Sequence, residues 1–388
     1  MKLPVYLDNH ATTPVDPRVL DTIMPYLTFR FGNAASTTHA FGQEALEGVD
    51  AARRQVADAI GAEPREIVFT SGATESNNLA LVGASQANLP RGNHIITVAT
   101  EHRAVLDPCA ALARAGFDVT VLPVQPDGLL DLNRLHDAFT GRTTLVSVMM
   151  ANNEIGTLQP IAEIGAMAAE RGALLHVDAA QALAYLDLNV IRDNVHLMSL
   201  SAHKAYGPKG VGALYVRRRN PMVRVSEQMH GGGHETGRRS GTLNTPGIAG
   251  LGEAARLARE SFAAEAPRLA ALRDRLLASL QRDIEGLVVN GTMKHRLPNN
   301  LNISIPGVEG ETLLMSLRDV ALSSGSACST ASAEPSHVLA ALGVSPELSH
   351  ASLRFGLGRW TTEEEIDFAA QRLAETVKRL RSLGFNDA

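Results

Sequence analysis

Residues 174–204 read LLHVDAAQALAYLDLNVIRDNVHLMSLSAHK and contain two apolar, strand-like runs. The first run ends at the carboxylate of Asp178, and the second ends in Ser201, His203 and Lys204. The interval between the two ends is about that of one strand–helix–strand unit. The stretch therefore predicts two neighbouring strands of one sheet that bring a carboxylate and an amine to the same edge.

Short β-branched runs alternate with alanine-rich helical patterns through the middle of the chain. They predict further strands at residues 67–70, 94–98, 119–122, 145–148 and 212–216. Alternation of this kind is typical of an α/β fold with a mainly parallel sheet covered by helices on both faces.

The pattern changes after about residue 252. A long amphipathic helix at 254–284, a strand at 300–305 and a capped final helix at 362–383 indicate a second, smaller α+β unit. Because the two ends of a chain often pair, we expect this small domain to be built from both termini. The predicted limits are residues 17–258 for the large domain, and residues 1–16 with 259–388 for the small domain.

Composition excludes several classes of protein. The chain has 388 residues, of which 45% are hydrophobic and 20% charged, and its formal net charge is −5. This charge gives no reason to expect direct binding to nucleic acid or to a membrane surface. No apolar run reaches the roughly 18 residues of a membrane span. The first residues resemble neither a signal peptide nor a transit peptide, so we expect a cytoplasmic protein.

The pairing of Asp178 with Lys204 suits pyridoxal phosphate, which needs a lysine to bind its aldehyde and an acid to keep its ring nitrogen protonated. Residues 70–76 join a predicted strand to a helix, and the N–H groups at such a helix start, with nearby hydroxyls, form an anion site. A plain Ser/Thr helix cap is the alternative. Ser201 and His203 supply further phosphate donors beside the lysine.

Other polar residues also follow predicted strands. Gln181, in the turn after Asp178, has the reach to donate to a phenolic oxygen, and His102 is placed to stack on a cofactor ring or to serve as a structural residue. Asn153 belongs to a turn whose amide is suited to a ring oxygen or a carboxylate. Arg354 is either a surface strand residue or a clamp on a carboxylate. His10 occupies a turn near the start of the chain, where we expect exposure to solvent.

The chain has two cysteines, too few for a disulfide framework or a cysteine-rich metal site. Cys109 has apolar neighbours on a predicted helix and is expected in the core. Cys328 lies in a run of Ser, Gly, Ala and Thr within a predicted loop at residues 323–334. A disordered linker is the alternative, but the helical pattern resumes at once near residue 335. A mobile loop would allow its single thiol to move between two sites.

Together these residues resemble the cysteine desulfurases of the NifS/IscS type, within the class-V aminotransferase family of fold-type I pyridoxal phosphate enzymes. The resemblance extends over nearly the whole chain and is closest to the group with a long cysteine loop. It rests on residues 69–76 (FTSGATES), 152–156 (NNEIG), 176–178 (HVD), 203–204 (HK), 230–235 (HGGGHE) and 323–328 (SSGSAC).

The resemblance implies a role for each candidate residue. Lys204 would bind pyridoxal 5′-phosphate covalently, Asp178 would pair with its ring nitrogen, and His102 would stack on the ring. The other implied cofactor-binding residues are Ala73, Thr74, Asn153, Gln181, Ser201, His203 and Thr242. Asn153 and Arg354 would bind the substrate carboxylate, and Cys328 would be the nucleophile that becomes a persulfide.

The implied reaction converts L-cysteine to L-alanine and leaves a persulfide on Cys328. That sulfur would pass to iron–sulfur scaffolds or other acceptor proteins, and the implied contact of Thr242 with the neighbouring subunit's phosphate would require a homodimer. Alternatives on the same cofactor are a selenocysteine lyase and an aminotransferase. A non-catalytic iron–sulfur carrier is the alternative from another class, and Cys328 is also a candidate ligand for a transient iron–sulfur cluster.

Overall fold

A seven-stranded sheet forms the centre of the molecule in a computed structural model, which describes residues 1–324 and 335–384. The described residues contain thirteen strands in all, seven of which form this sheet. They are β1 (Val5–Tyr6), β2 (Ile67–Thr70), β3 (His94–Val98), β4 (Asp118–Leu122), β5 (Thr143–Met149), β6 (Leu174–Asp178), β7 (Leu197–Ser201), β8 (Gly212–Val216), β9 (Val288–Val289), β10 (Asn300–Ser304), β11 (Val320–Ala321), β12 (Ser323–Ser324) and β13 (Ser352–Gly356).

Helices separate these strands and cover the sheet. They are α1 (Pro17–Thr28), α2 (Ala40–Ile60), α3 (Ala73–Asn78), α4 (Ala84–Asn88), α5 (Arg103–Arg114), α6 (Leu132–Ala138), α7 (Ile161–Glu170), α8 (His234–Gly237), α9 (Thr245–Asp283), α10 (Gly310–Ser316), α11 (His337–Ala341), α12 (Pro346–His350) and α13 (Glu363–Ser382). A π-helical turn at Leu79–Gly83 joins α3 to α4 in one helical run.

The large sheet has the strand order β2-β8-β7-β6-β5-β3-β4. All its neighbouring pairs are parallel except those that β8 makes with β2 and β7. Every residue of β2, β3, β5, β6, β7 and β8 is buried, whereas the edge strand β4 is partly exposed. The predicted α/β fold with a mainly parallel sheet is confirmed.

A separate small sheet has the order β12-β13-β10-β9 with antiparallel pairs. The start of the chain joins this region, because β1 pairs with β11 and Asp8 bridges to Gly356. The two ends of the chain therefore meet in the smaller unit, as predicted. The exact limits of the two domains stay a prediction.

The long helix begins earlier than its predicted start at residue 254. It starts at Thr245, where the Asn244 side chain caps the helix by accepting the N–H of Gly247. Glycines in its first turns suggest a loop, yet this part packs on α1 and α2 and is buried. Tertiary packing here outweighs the low helix propensity of glycine.

None of the helices in the described part of the chain is long and apolar enough to cross a membrane.

Candidate active site

The carboxyl ends of β2, β3, β5, β6 and β7 surround one cavity of about 490 Å³. Parallel strands place the loops that follow them at a common edge, which is where α/β proteins bind ligands. The predicted site residues on this cavity are Ala73, Thr74, His102, Asn153, Asp178, Gln181, Ser201, His203, Lys204 and Arg354. The fold thus brings together residues that are far apart in the sequence.

Asp178 is a buried carboxylate at the end of β6. Its Oδ2 accepts a hydrogen bond from Asn77 Nδ2 at 2.7 Å, and its Oδ1 accepts the N–H of Ala180 at 3.0 Å. No ion pair joins Asp178 to a cation within residues 1–324 and 335–384. A buried anion held only by neutral donors is suited to a positively charged group that binds in the cavity.

Lys204 lies in a short turn that directly follows β7, the strand next to β6. Its Nζ donates hydrogen bonds to the backbone carbonyls of His10 and Ala11, the second at 2.7 Å. Both acceptors belong to the N-terminal segment, so this segment forms one wall of the cavity. An amine on one strand end and a carboxylate on the next match the requirements of pyridoxal phosphate.

The donor sets predicted to bind a phosphate face the same cavity. The first N–H groups of α3 have no partner within the helix, as at any helix start. A Cβ atom at Gly212, the first residue of β8, would lie 2.7 Å from Gly72 Cα, so the glycine lets the turn before α3 pack closely on the start of β8. Burial and the charges of Lys204 and Lys209 lower the pKa of His203 to about 4, which leaves a neutral ring as a donor.

His102 caps α5 by accepting the N–H of Ala104 on its Nδ1 at 3.0 Å. In the neutral ring the proton therefore lies on Nε2, which can donate it. The backbone carbonyl of Glu101, the preceding residue, is hydrogen-bonded to His337 Nε2 at 2.9 Å.

Burial, and the nearby Asp178, raise the pKa of the Glu101 carboxyl well above its ordinary value. The neutral form of the Glu101 carboxyl is therefore favoured.

Arg354 lies in the middle of β13 and is almost completely buried. Its Nη1 donates to the carbonyl of Asn153 at 3.0 Å, and its Nη2 forms an ion pair with Asp8 Oδ1 at 2.9 Å. The interpretation of Arg354 as a surface strand residue is wrong. A strand of the small sheet instead delivers its guanidinium to a cavity built by the large sheet, which suits a carboxylate clamp.

His10 is buried against the cavity rather than exposed at a turn, so our expectation for it was wrong. The N–H of Asn9 and its side-chain amide both donate to the carbonyl of Gly356, at 3.0 and 2.9 Å. These bonds fix the N-terminal segment against the end of β13. Sequence reasoning missed His10 and Asp8 because no local pattern marks a contact that depends on residues more than 300 positions away.

The remaining predicted residues lie elsewhere. Cys109 is in the core, as predicted, and burial raises the pKa of its thiol to about 12. Thr242 is exposed and does not line the cavity. Cys328 lies outside the described residues. No group of three or more His, Cys, Asp or Glu residues suited to a metal ion occurs in the described ranges.

Comparison with known proteins places this geometry in context. Residues 5–368 match the family described as "Aminotransferase class-V". "Cysteine desulfurase IscS" of Anaeromyxobacter dehalogenans (strain 2CP-C) is 56% identical over 383 residues, which are 99% of this chain and 95% of that protein.

Solved structures give the same result. A "NIFS-LIKE PROTEIN" superposes with a TM-score of 0.91 at 36% identity and covers 97% of this chain and 100% of that chain. A structure described as "SspA in complex with cysteine" has a TM-score of 0.80 at 38% identity and covers 92% of this chain and 100% of that one.

Proposed function

Because the chain belongs to the class-V aminotransferase family and is a cysteine desulfurase, we propose that it uses pyridoxal 5′-phosphate bound by Lys204 to convert L-cysteine to L-alanine. The sulfur atom is transferred to Cys328 as a persulfide. The observation that carries this proposal is the pair of strand ends that hold Asp178 and Lys204 on one cavity.

The residues on the cavity fit this cofactor. Asp178 would hold the protonated ring nitrogen, and Lys204 would bind the aldehyde. Gln181 would donate to the phenolic oxygen and His102 would stack on the ring. The start of α3, with Ser201 and His203, would hold the phosphate. When bound, pyridoxal phosphate supplies an electron sink for the negative charge that develops at the substrate Cα.

The protein groups would then act on L-cysteine in a fixed order. Arg354 and Asn153 bind the substrate carboxylate and orient Cα, and the Lys204 Nζ removes the proton from Cα. The Cys328 thiolate attacks the substrate sulfur, so that a sulfur–sulfur bond forms and the bond from Cβ to sulfur breaks. The electron pair of the broken bond stays with the carbon skeleton, so one proton must be added to Cβ and one returned to Cα. Lys204 and His102 Nε2 would supply them, and the product leaves as L-alanine.

Both neighbours of the segment that carries Cys328 support its proposed role. Ser323, just before the segment, pairs with Arg354 in the small sheet. Ser336, just after it, donates a hydrogen bond to Glu154, and its neighbour His337 binds the carbonyl next to His102. Both flanks of the segment therefore lie beside residues that line the cavity or directly precede them.

Asp178→Asn is expected to retain the cofactor but to lose activity, because a neutral amide does not stabilise a cationic ring. Removing one partner of a buried ion pair costs ~3–5 kcal/mol, which corresponds to a loss of more than roughly 100-fold in rate. Alanine formation from L-cysteine measures the effect. Asp137→Asn changes an exposed carboxylate on α6 and serves as the matched control. Activity of Asp178→Asn within a few-fold of wild type would refute this role and indicate that Asp178 is only a turn residue.

We also propose a homodimer with composite sites. Apolar side chains are exposed on α1 and in the segment after it, among them Leu20, Met24, Leu27, Phe29 and Phe31. The first three lie at helical spacing on one face, which makes this area suited to a protein interface. The segment that runs from α8 to Thr242 is fixed to β2, because Glu235 of α8 binds Arg53 and the N–H of Phe69. We infer that the exposed Thr242 enters the site of the neighbouring subunit.

A mixed dimer tests this arrangement. Each homodimer of Lys204→Ala or Thr242→Ala is expected to be impaired. A heterodimer of the two variants contains one site in which both residues are intact, so it should recover about half of the activity of a wild-type dimer. Light scattering at the assay concentration should report a dimer, and a monomer at that concentration contradicts the proposal.

The acceptors of the sulfur would be iron–sulfur scaffolds and other cytoplasmic proteins, with a transient cluster on Cys328 as a further role for the same thiol. This proposal rests on the similarity to proteins named IscS. Persulfide transfer from the purified enzyme to a candidate acceptor, followed by mass spectrometry, tests each partner separately.

A further inference from the structure

The amide of Gln181 is held at both ends by a single residue. Gln181 Nε2 donates to the backbone carbonyl of His10 at 3.0 Å, and Gln181 Oε1 lies 3.1 Å from His10 Nδ1. A carbonyl only accepts hydrogen bonds, so the NH₂ group must face the backbone of His10. The amide oxygen must then face the imidazole, and His10 Nδ1 must carry the proton that is donated to it.

We propose that His10 is a positioning residue, whose imidazole fixes the orientation of the Gln181 amide so that its second N–H points to the phenolic oxygen of bound pyridoxal phosphate. This inference rests on the proposed function. The role of His10 is visible only in its contacts with Gln181. Without the imidazole, only the bond from Gln181 Nε2 to the His10 carbonyl opposes a rotation of the amide that would present its oxygen to an electron-rich phenolic oxygen.

The surroundings of His10 keep its ring neutral, as this role requires. Burial lowers the pKa of His10 to about 3, with contributions from the charges of Arg354 on β13 and Lys204 after β7. The Gln181 amide and the Asn299 backbone oppose the shift without reversing it. The ring is therefore a single-proton donor across the working pH range.

The ring is also fixed from its other side. A Cβ atom at Gly356 would lie 2.8 Å from His10 Cδ2 and 2.7 Å from its backbone nitrogen, so only glycine leaves room for this approach. The carbonyl of His10 accepts both Gln181 and the Lys204 amine. One residue thus sets the position of two groups that are expected to contact the same cofactor, and β13 of the small sheet supports it.

Two substitutions of nearly equal shape separate the donor from the space that it fills. His10→Asn keeps an N–H that can reach Gln181 Oε1, whereas His10→Leu has the same branching and no donor. A hydrogen bond to the phenolic oxygen stabilises its charged form, so its loss should raise the pH midpoint of the visible absorption change of the cofactor-loaded enzyme. We expect a rise of about half a unit to one unit in His10→Leu, and a midpoint in His10→Asn closer to that of wild type.

A double-mutant cycle with Gln181→Ala identifies the route of the effect. If His10 acts through Gln181, His10→Leu should move the midpoint no further once Gln181→Ala is present. An equal shift in both backgrounds overturns the inference, as does an unchanged midpoint in His10→Leu. The two hypotheses are refuted by different results. A wild-type enzyme that takes up no pyridoxal phosphate refutes the proposed function. If the wild-type enzyme takes up the cofactor but the His10 variants leave the pH midpoint unchanged, only the positioning role is refuted.

Discussion

Lys204→Ala is expected to abolish the conversion of L-cysteine to L-alanine and to leave pyridoxal phosphate without a covalent bond to the protein. In the proposed mechanism the lysine supplies both the attachment to the cofactor and the base that takes the proton from Cα, so the substitution would remove two functions at once. The variant should still bind pyridoxal phosphate reversibly, because Asp178 and the phosphate donors at the start of α3 are unchanged.

Borohydride reduction followed by mass spectrometry measures this directly. In the wild-type enzyme, reduction should add the cofactor mass to the peptide that contains Lys204, and the variant should show no such adduct. Lys378→Ala, an exposed lysine on α13, is the matched control and should behave as wild type. Alanine formation by purified Lys204→Ala at a rate comparable to wild type would refute the assignment of Lys204.

Cys328→Ser is expected to bind L-cysteine normally and to form neither persulfide nor alanine at a useful rate. The proposed mechanism separates two reactions, because the lysine and the cofactor would act on Cα whereas only a soft nucleophile can take the sulfur atom. Serine is a close match in shape but a poor nucleophile towards sulfur. A spectral change on addition of L-cysteine should therefore survive in the variant, while sulfur transfer should not.

Mass spectrometry after incubation with L-cysteine locates the sulfur. The wild-type enzyme should gain sulfur on Cys328, and Cys109→Ala, which alters only the buried thiol, should do the same. Full activity in Cys328→Ser would favour an aminotransferase, which has no use for that thiol. An adduct on Cys109 would overturn the mechanism. A selenocysteine lyase is distinguished by comparing kcat/KM for cysteine and selenocysteine.

The central sheet could be predicted from the sequence because its strands are short and, apart from the edge strand β4, fully buried. Every predicted strand of this sheet is present, and the apolar run that precedes Lys204 is β7, which ends at Ser201. Asp178, Gln181, Ser201 and His203 could be found in the same way, since each follows a strand and parallel strands end at one edge. These residues reach the cavity through local sequence order alone.

The remaining features depend on contacts that no local pattern encodes. The burial of His10 and the pairing of Asp8 with Arg354 require the N-terminal segment to lie against β13. The first turns of α9 look like a loop, because their glycines lower helix propensity and the packing that compensates comes from α1 and α2. Thr242 is predicted to act in a neighbouring subunit, so a single chain does not complete its environment.

The burial of Cys109 has a consequence for the path of sulfur through the cell. If Cys328 holds the sulfur as proposed, an enclosed thiol that resists ionisation is unsuited to receive it, so Cys109 would be neither an internal relay nor a second place of storage. Each cycle can then end only when an outside molecule removes the sulfur atom. Demand from the acceptors, rather than the supply of cysteine alone, would set the pace at which this protein releases reactive sulfur.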